Sequence, residues 1–323
     1  MIVPAVHSVL EAAALAAELE RRYELGRPLG CQLLYRGMND VFAVWTPEAR
    51  YAVRTRRAGW RSIDDVAYEM AFLRFLDGAG VPVAPGIPAR DGSLFFVAEA
   101  PEGLRPVAVF RWAGGQKLGA APNAEDARRV GRAFALMHRA ATAFQSPHRR
   151  RTNPPQALRE NVPTFLRMVE ERPQDGPFYR EATERIATAL ERIDPAEVPF
   201  GPNHGDFHCN NVHIDGGGLT LLDFDNSGED FFAQDVACYL WANHYIGLPD
   251  WLSTAFVAGY ESIRPLTPRE HELMPLFVLA KEFRLISTFS RHVNAIGRGF
   301  MRRDFAWFAD SIRRRMGEAG LLY

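Results

Sequence analysis

The sequence predicts an α+β protein, with a small antiparallel β-sheet and one main helix in its first third and a larger, mainly helical part behind it. Short apolar segments bounded by turn residues fill residues 30–112, as in strands joined by tight turns. Apolar residues at helical spacing dominate after that region. With 323 residues and 47% hydrophobic content, the chain can build one large or two modest domains. We therefore expect two lobes, over residues 1–112 and 113–323.

The first lobe is predicted to contain two helices and five strands. Ser8 and Glu11 have the spacing of a capping box, which places the start of the first helix near residue 8. Ser62 is a cap for the main helix, and Gly78 and Gly80 end it. The predicted helices are 8–22 and 62–77, and the predicted strands are 31–35, 41–45, 51–55, 94–98 and 107–112.

The second lobe is predicted to be helical apart from one hairpin. Two short apolar strands, 212–214 and 219–222, flank a turn that contains three consecutive glycines and predict that hairpin. The predicted helices are 124–144, 160–172, 177–193, 235–246, 250–263, 268–294 and 303–317.

Composition excludes several classes of partner. The net charge of −1 and the pI of about 6.8 provide no basic field for nucleic acid or an anionic membrane. No apolar run has transmembrane length and the N-terminus carries no positive leader, so we expect a cytoplasmic location. Three widely spaced cysteines, Cys31, Cys209 and Cys238, suit reduced thiols better than a disulfide framework. The sequence leaves the oligomeric state open.

The most informative segment runs from His204 to Asn211 and reads His-Gly-Asp-Phe-His-Cys-Asn-Asn. The predicted hairpin follows it directly and ends at Leu221-Leu222-Asp223. Such a hairpin returns the chain beside its own start, which brings Asn211 next to Asp223. A carboxylate and an amide carbonyl offer the oxygen ligands that Mg²⁺ prefers. An ordinary turn around Gly205 is the plain alternative.

A zinc site is a second alternative for the same segment. His204, His208, Cys209 and His213 offer imidazole and thiolate ligands, which suit zinc and suggest a zinc-dependent hydrolase. This interpretation gives no role to Asn211 or Asp223, and neither a Cys-x-x-Cys pair nor a His-Glu-x-x-His helix supports it.

The His204–Asn211 segment, the Leu-Leu-Asp-Phe-Asp run that ends at Asp225, and Gln234-Asp235-Val236-Ala237 resemble the aminoglycoside phosphotransferase and choline kinase-like superfamily. The resemblance is specific over residues 201–242 and looser over 30–140. It implies a bilobal protein kinase-like fold, with a nucleotide-binding N-terminal lobe and a C-terminal lobe that carries the catalytic loop and the acceptor site. It also implies ATP, with GTP as the alternative, and Mg²⁺.

The resemblance assigns roles to the matching residues of the C-terminal lobe. Asp206 would receive the proton of the acceptor hydroxyl, and Asn211 and Asp223 would bind the metal. His204 and Asp235 would support the catalytic loop, although a helix N-cap also explains an Asp at 235. Asp225 is a candidate to assist near the metal.

In the N-terminal lobe the resemblance points to the strand at 51–55 and the helix behind it. Ala52 and Arg54 share one face, so Ala52 would face adenine and Arg54 would stand where protein kinases carry a lysine. Glu69 is the expected partner of Arg54, with Asp65 as the fallback. Gly37 and Asn39 lie in the turn expected over the phosphates, where a plain β-turn is the alternative.

These assignments predict an ATP-dependent phosphotransferase that acts on a hydroxyl of a small molecule, such as an aminoglycoside, an amino alcohol or a homoserine-like compound. Glu261 and Glu282 are candidates to meet an amine of this acceptor, and Arg284 and Arg291 a carboxylate. The rival from another class is a nucleotide-binding pseudokinase or scaffold, suggested by the missing lysine and the sparse glycines.

Overall fold

A computed structural model of the chain describes residues 3–150, 154–168, 172–297 and 304–322. They form two compact units: Met1–Gly115 with Phe144–Arg150 and His213–Leu222, and Gln116–Ala143 with Arg151–Val212 and Asp223–Tyr323. The predicted lobe boundary at 112/113 stays a prediction. Among the described helices, none combines the length and the apolar character needed to cross a bilayer.

The strands of residues 30–111 form one five-stranded sheet and helices dominate the chain after it, so the predicted α+β fold class is confirmed. In chain order they are α1 (Ala12–Arg22), β1 (Gly30–Arg36), β2 (Asn39–Trp45), β3 (Arg50–Arg56), α2 (Ile63–Gly78), β4 (Phe96–Ala100), β5 (Gly103–Arg111), β6 (Gln116–Lys117), α3 (Ala124–Ala141), α4 (Pro154–Met168), α5 (Gly176–Glu191), β7 (Phe200–Asn203), β8 (Val212–Asp215), β9 (Gly218–Leu221), β10 (Gly228–Phe231), α6 (Phe232–Ile246), α7 (Asp250–Glu261), α8 (Pro268–Ile296) and α9 (Phe305–Glu318).

The first unit is built on a five-stranded antiparallel sheet in the order β1-β2-β3-β5-β4. Because side chains alternate between the faces of a strand, Val53 and Arg54 of β3 point in opposite directions. Val53 packs in an apolar core with Leu15 and Leu19 of α1. Arg54 pairs instead with Glu69 of α2. The two helices therefore lie on opposite faces of the sheet.

The start of α1 differs from the prediction. Glu11 caps the helix itself, because its carboxylate accepts hydrogen bonds from the backbone of Ala13 and Ala14. Ser8 bonds instead to Glu102, at 3.0 Å through its backbone N–H and at 2.7 Å through its hydroxyl. The predicted Ser8–Glu11 capping box is wrong because a partner far along the chain takes the serine.

The second unit has an apolar core formed by α4, α5, α6, α8 and α9. Helices α3 and α7 cross at close range beside it. An added Cβ at Gly131 of α3 would lie 2.0 Å from the carbonyl oxygen of Phe256, and one at Gly259 of α7 would lie 2.1 Å from that of Arg128. Only glycine at both positions lets the two backbones approach this closely.

A two-stranded sheet that the sequence analysis did not predict completes the second unit. Strand β7 pairs antiparallel with β10, with Asn203 opposite Gly228. The chain leaves β7 at Asn203 and enters the His204–Asn211 segment at once. This small sheet therefore fixes the point from which that segment starts.

Candidate active site

The turn at His204–Asp206 is held by one carboxylate of α6. Asp235 accepts hydrogen bonds from the backbone N–H groups of His204, at 2.7 Å, and Gly205, at 2.8 Å. Helix α6 has its N-cap at Phe231, so an N-cap role does not explain the aspartate at position 235. Its carboxylate supports the turn directly.

Glycine is required at position 205 for two reasons. Its φ of +80° lies in the left-handed region, which side chains disfavour. A Cβ there would also lie 2.1 Å from the carbonyl oxygen of Asn226. The Gly of His-Gly-Asp thus lets the turn close against the segment that follows Asp223.

The residue after Asp206 anchors the loop in the apolar core. The ring of Phe207 stacks on Phe134 of α3, with 3.9 Å between centroids, and lies 5.7 Å from the ring of Tyr239 of α6. Aromatic rings in contact like these add to the apolar area that they bury. The backbone beside Asp206 is therefore fixed from both sides.

The two carboxylate oxygens of Asp206 have different surroundings. Oδ1 accepts a hydrogen bond from the ammonium of Lys281 on α8 and another, at 3.8 Å, from the thiol of Cys238 on α6. No residue in the described ranges hydrogen-bonds Oδ2, and the side chain is 31% exposed. One oxygen is thus held by the protein, and the other is free to accept a proton or a hydrogen bond.

Charge around Asp206 favours its ionised form. Burial alone would raise the pKa of this carboxyl, but the positive charge of Lys281, together with that of His208 when it is protonated at low pH, outweighs burial and lowers the pKa. Burial raises the pKa of Cys238 to about 12, so this thiol stays protonated and donates. Burial also lowers the pKa of His208 to about 4, so His208 is neutral near neutral pH.

Asn211 and Asp223 stand before and after the β8–β9 hairpin. The amide nitrogen of Asn211 donates to the backbone carbonyl of Asp206 at 2.9 Å, which leaves its amide oxygen as the atom available to a metal. Asp223 is exposed and has a φ of 62°, the only positive φ among the described non-glycine residues. Strained backbone of this kind clusters at functional sites.

This donor set fits a hard divalent cation, because both side chains offer oxygen. The metal role of Asn211 and Asp223 stays a prediction, as does the assisting role of Asp225. The latter side chain is buried in the 3₁₀ turn Phe224–Asn226.

The zinc alternative lacks a ligand cluster. In the part of the chain that the structure describes, no three His, Cys, Asp or Glu side chains converge as a metal site would require. His204 and His208 each accept a backbone hydrogen bond on Nδ1, from Asp206 at 3.3 Å and from Asn210 at 3.2 Å. His213 bonds the carbonyl of Gly114 at 3.2 Å.

A buried network extends from Asp235 to the surface of the unit. Nε2 of His138 lies 3.1 Å from the Asp235 carboxylate, and Nδ1 lies 2.7 Å from the hydroxyl of Tyr260. Because a carboxylate only accepts, Nε2 carries the proton and Tyr260 donates to Nδ1. Arg264 donates to the Tyr260 oxygen at 3.0 Å and to Glu270 at 2.8 Å. His138 thus reaches the His204–Asn211 loop through Asp235.

In the first unit, Glu69 is the centre of an ion-pair cluster. Its two carboxylate oxygens accept from Arg54 and Arg56 respectively, and all three side chains are buried. The fallback Asp65 is occupied elsewhere, in a capping box with Ser62 at the start of α2. The structure therefore brings together Arg54 and Glu69, as predicted, and adds Arg56.

The other residues predicted to contact the nucleotide lie in the same sheet or in the turn between its first two strands. Ala52 on β3 lies opposite Ala43 on one side and Phe110 on the other. Gly37 and Asn39 form the turn between β1 and β2, in which the N–H of Gly37 donates to the Asn39 carbonyl at 3.0 Å. Arg57 holds this turn by donating to the Gly37 carbonyl at 2.7 Å.

The candidate acceptor contacts have protein partners of their own. Glu282 is buried among Trp241, Ser311 and Arg315, which donate to or pair with its Oε2. Glu261 pairs with His271 at 3.0 Å. Arg284 lies 3.5 Å from Asp230. Their predicted acceptor roles remain predictions, as does that of the exposed Arg291.

Sequence reasoning missed several residues that contact the predicted site: Lys281, Cys238, Arg56, Arg57 and His138. Two signals in the sequence were available. Lys281 is one of only two lysines in a chain with 38 basic residues. Arg54, Arg56 and Arg57 stand close together at the end of the strand in which Arg54 is the predicted phosphate-binding cation.

Comparisons with known proteins identify the family of the chain. Residues 37–273 match the model of the family described as phosphotransferase enzyme family. An uncharacterized protein of Deinococcus radiodurans is 34% identical over 312 residues, which cover 94% of this chain and 90% of that protein. The homoserine kinase of Sinorhizobium medicae is 30% identical over 275 residues, 82% of this chain and 80% of that enzyme.

Two solved structures share the fold at low identity. Amicoumacin kinase hAmiN, in complex with AMP-PNP, Ca²⁺ and Ami, superposes with a TM-score of 0.74 at 17% identity and covers 96% of this chain and 93% of its own. A microcompartment-associated aminopropanol kinase gives 0.68 at 19% identity, with 96% of each chain covered. The predicted kinase-like fold and the predicted enzyme class, a small-molecule kinase, are confirmed. Because the family model spans well over half of its residues, the chain belongs to the phosphotransferase enzyme family.

Proposed function

We propose that this kinase transfers the γ-phosphoryl group of ATP to a hydroxyl of a small molecule that also carries an amino group, with Mg²⁺ as the metal. The observation that carries the proposal is the state of Asp206. Its Oδ1 is held by Lys281 and Cys238, its Oδ2 has no partner in the described ranges, and the turn behind it is fixed by Asp235. A hydroxyl at Oδ2 would meet an oriented, ionised carboxylate.

The residues then divide the chemistry between them. Asp206 orients the acceptor hydroxyl and takes its proton as the new P–O bond forms. Asn211 and Asp223 would hold the metal, and Asp225 would assist beside them. The bound metal supplies positive charge that offsets the charge developing on the transferred phosphoryl group. His204 and Asp235 keep the loop in place.

In the first unit, the proposed nucleotide contacts follow the ion-pair cluster. Arg54, oriented by Glu69, would bind phosphate oxygens, and the turn with Gly37 and Asn39 would cover them. Ala52 would leave room for adenine on the same face of the sheet. An arginine binds phosphate as a planar fork, so it can donate two hydrogen bonds where a lysine offers a point charge. GTP remains the alternative donor.

Similarity to named enzymes supports an order of preference among the candidate acceptor classes. The 30% identity to a homoserine kinase supports a homoserine-like acceptor, and the fold neighbours include an aminopropanol kinase and an amicoumacin kinase. We therefore place homoserine first, amino alcohols second and aminoglycosides third. AMP-PNP and Ca²⁺ in the amicoumacin kinase complex support a nucleotide and a divalent cation as ligands.

The test is a screen of these three acceptor classes with ATP and MgCl₂. ADP release would be followed continuously, and mass spectrometry would identify an acceptor that has gained one phosphate group. Asp206→Asn should lower kcat by about 10²- to 10⁴-fold, as loss of a general base does. Asp310→Asn, at a carboxylate that is 82% exposed, serves as the matched control and should leave kcat unchanged.

Three outcomes would overturn the proposal. If ATP raised the melting temperature but no phosphorylated product formed, the pseudokinase or scaffold alternative would be favoured. Stoichiometric zinc in the purified protein, with hydrolysis independent of ATP, would favour the hydrolase. Full turnover by Asp206→Asn would remove Asp206 from the reaction.

A further inference from the structure

Lys281 is a buried lysine in a chain that otherwise uses arginine. Of 38 basic residues only Lys117 and Lys281 are lysines. Lys281 lies on α8, is 6% exposed, and directs its ammonium at Oδ1 of Asp206. An ammonium is a compact charge on a flexible stem, whereas a guanidinium is a wide planar fork. At this position the compact group contacts one carboxylate oxygen and leaves the other uncovered.

The surroundings of Lys281 make Asp206 its main partner. The groups that interact electrostatically with its ammonium include the Asp206 carboxylate, the neutral Cys238 thiol, the guanidinium of Arg284 and the imidazole of His208. Arg284 itself pairs with Asp230 on β10. A buried ammonium is tolerated only with an ionised partner, so this lysine and Asp206 depend on each other.

We propose that Lys281 is a positioning residue for phosphoryl transfer: by holding Oδ1 of Asp206, it presents Oδ2 to the acceptor hydroxyl. This inference rests on the proposed function. In the transfer step, the acceptor oxygen bonds to the γ-phosphorus and the bond from that phosphorus to the β–γ bridging oxygen breaks. ADP leaves with the electron pair of that bond, and the hydroxyl proton passes to Oδ2 of Asp206.

Helix α8 brings Lys281 to Asp206 from a distant part of the chain. The lysine lies 75 positions after Asp206 and beyond residue 273, where the match to the family model ends. Helix α8 is anchored in the apolar core of the second unit through Phe277 and Phe283. A helix packed into the core thus carries the ammonium, and its contact with Oδ1 restricts rotation of the Asp206 carboxylate. A misplacement of about 1 Å in reacting groups can lower a rate by about 10²-fold.

The experiment uses the full chain with homoserine, aminopropanol and an aminoglycoside as acceptors, ATP and MgCl₂. Lys281→Met keeps the length of the side chain and removes its charge, and Lys281→Arg restores a charge. We expect kcat to fall by about 10²-fold in Lys281→Met, with the KM for ATP changed by less than about twofold, and a partial recovery in Lys281→Arg. Arg269→Met is the matched control, because that cation sits on the same helix in an exposed pair with Glu272.

A double-mutant cycle separates positioning from a merely structural role. If Lys281 acts through Asp206, then Lys281→Met should lower kcat no further in an Asp206→Asn background. The double variant removes both charges of the pair, so neither is left without its partner. We therefore expect it to fold even where the single variant is unstable, and melting temperatures identify that case. The inference would be overturned if the fold-losses in kcat of the two single variants multiplied in the double variant. It would also be overturned if a folded Lys281→Met protein kept the wild-type kcat. Wild-type protein that phosphorylates none of the acceptors would instead overturn the proposed function.

Discussion

His138 donates a buried hydrogen bond of 3.1 Å to the carboxylate of Asp235, and it thereby links helix α3 to the loop that carries Asp206. The same carboxylate holds the backbone of His204 and Gly205. The imidazole therefore orients the group that supports the turn, while standing two contacts away from Asp206. Its effect on activity should pass through the loop.

The first prediction concerns stability against pH. Burial, only partly offset by Asp235, lowers the pKa of His138 below its ordinary value of 6.5. The unfolded chain takes up this proton near pH 6.5, whereas the folded protein resists it, so stability is full above that pH and falls as the pH drops below it. In His138→Gln, urea unfolding at about pH 7.5 and about pH 5.5 should show a smaller difference between the two conditions than in the wild type.

The same substitution should lower the free energy of unfolding at the higher pH by about 1–3 kcal/mol, because it removes a buried ring that stacks on Phe232 and packs against Phe134. His7 and His208, whose pKa values are also lowered by burial, keep part of the pH dependence. His148→Gln is the control, since His148 is 39% exposed and pairs with the exposed Asp64. An undiminished pH dependence in His138→Gln would contradict the assignment.

The second prediction tests the glycine of the His204–Asp206 turn. Gly205→Ala adds a methyl group 2.1 Å from the Asn226 carbonyl oxygen at a φ of +80°. Gly247→Ala is a matched control, because Gly247 has a φ of +79° with no atom within 4 Å of the added carbon. The free energy of unfolding of the control should fall only by the cost of a left-handed backbone for alanine, about 1–2 kcal/mol. Gly205→Ala should lose more stability and also most of its kcat, and equal losses in the two variants would show that the contact with Asn226 is unimportant.

The loop and the hairpin that carry Asp206, Asn211 and Asp223 could be predicted from sequence, and the contacts formed through packing could not. The roles of the three residues stay predictions. Asp206, Asn211 and Asp223 fall within one loop and one hairpin, whose turn chemistry is local. The contact between Lys281 and Asp206 depends on which face of α8 turns towards the loop. Helical periodicity shows that a face is buried, but it does not identify the neighbour.

The fold followed the same division. The strands and helices with clear periodicity, such as β3 and α2, lie within a few residues of their predicted bounds. Strands β7 and β10 were missed because each has four residues and contains Gly or Pro, which weaken a strand pattern. The predicted cap at Ser8 failed because Glu102, 94 positions away, bonds it. Local rules cannot include a partner so distant along the chain.

The third prediction concerns the ion-pair cluster of the first unit. Glu69→Gln leaves the buried guanidinium groups of Arg54 and Arg56 without their shared carboxylate. Breaking a buried ion pair by removing one partner costs about 3–5 kcal/mol, so we expect a large loss of stability by urea unfolding. ATP affinity, measured by calorimetry on the folded fraction, should also fall by about tenfold or more, because Arg54 loses its orientation. Glu99→Gln, an exposed acid on β4, should change neither. Unchanged ATP affinity in a folded Glu69→Gln would remove Arg54 from the nucleotide site.

The fourth prediction concerns the crossing of α3 and α7, which positions His138 and Tyr260. Gly131→Ala places a methyl group 2.0 Å from the backbone oxygen of Phe256, and the backbone cannot rotate away as a side chain would. Forced separation of the helices should lower the free energy of unfolding by about 1–3 kcal/mol or more. Gly78→Ala is the control: it is the last residue of α2, no atom lies within 4 Å of the added carbon, and alanine favours helix by up to about 1 kcal/mol. Opposite signs in the two variants are therefore expected, and a Gly131→Ala protein as stable as the wild type would show that the two helices can separate without loss.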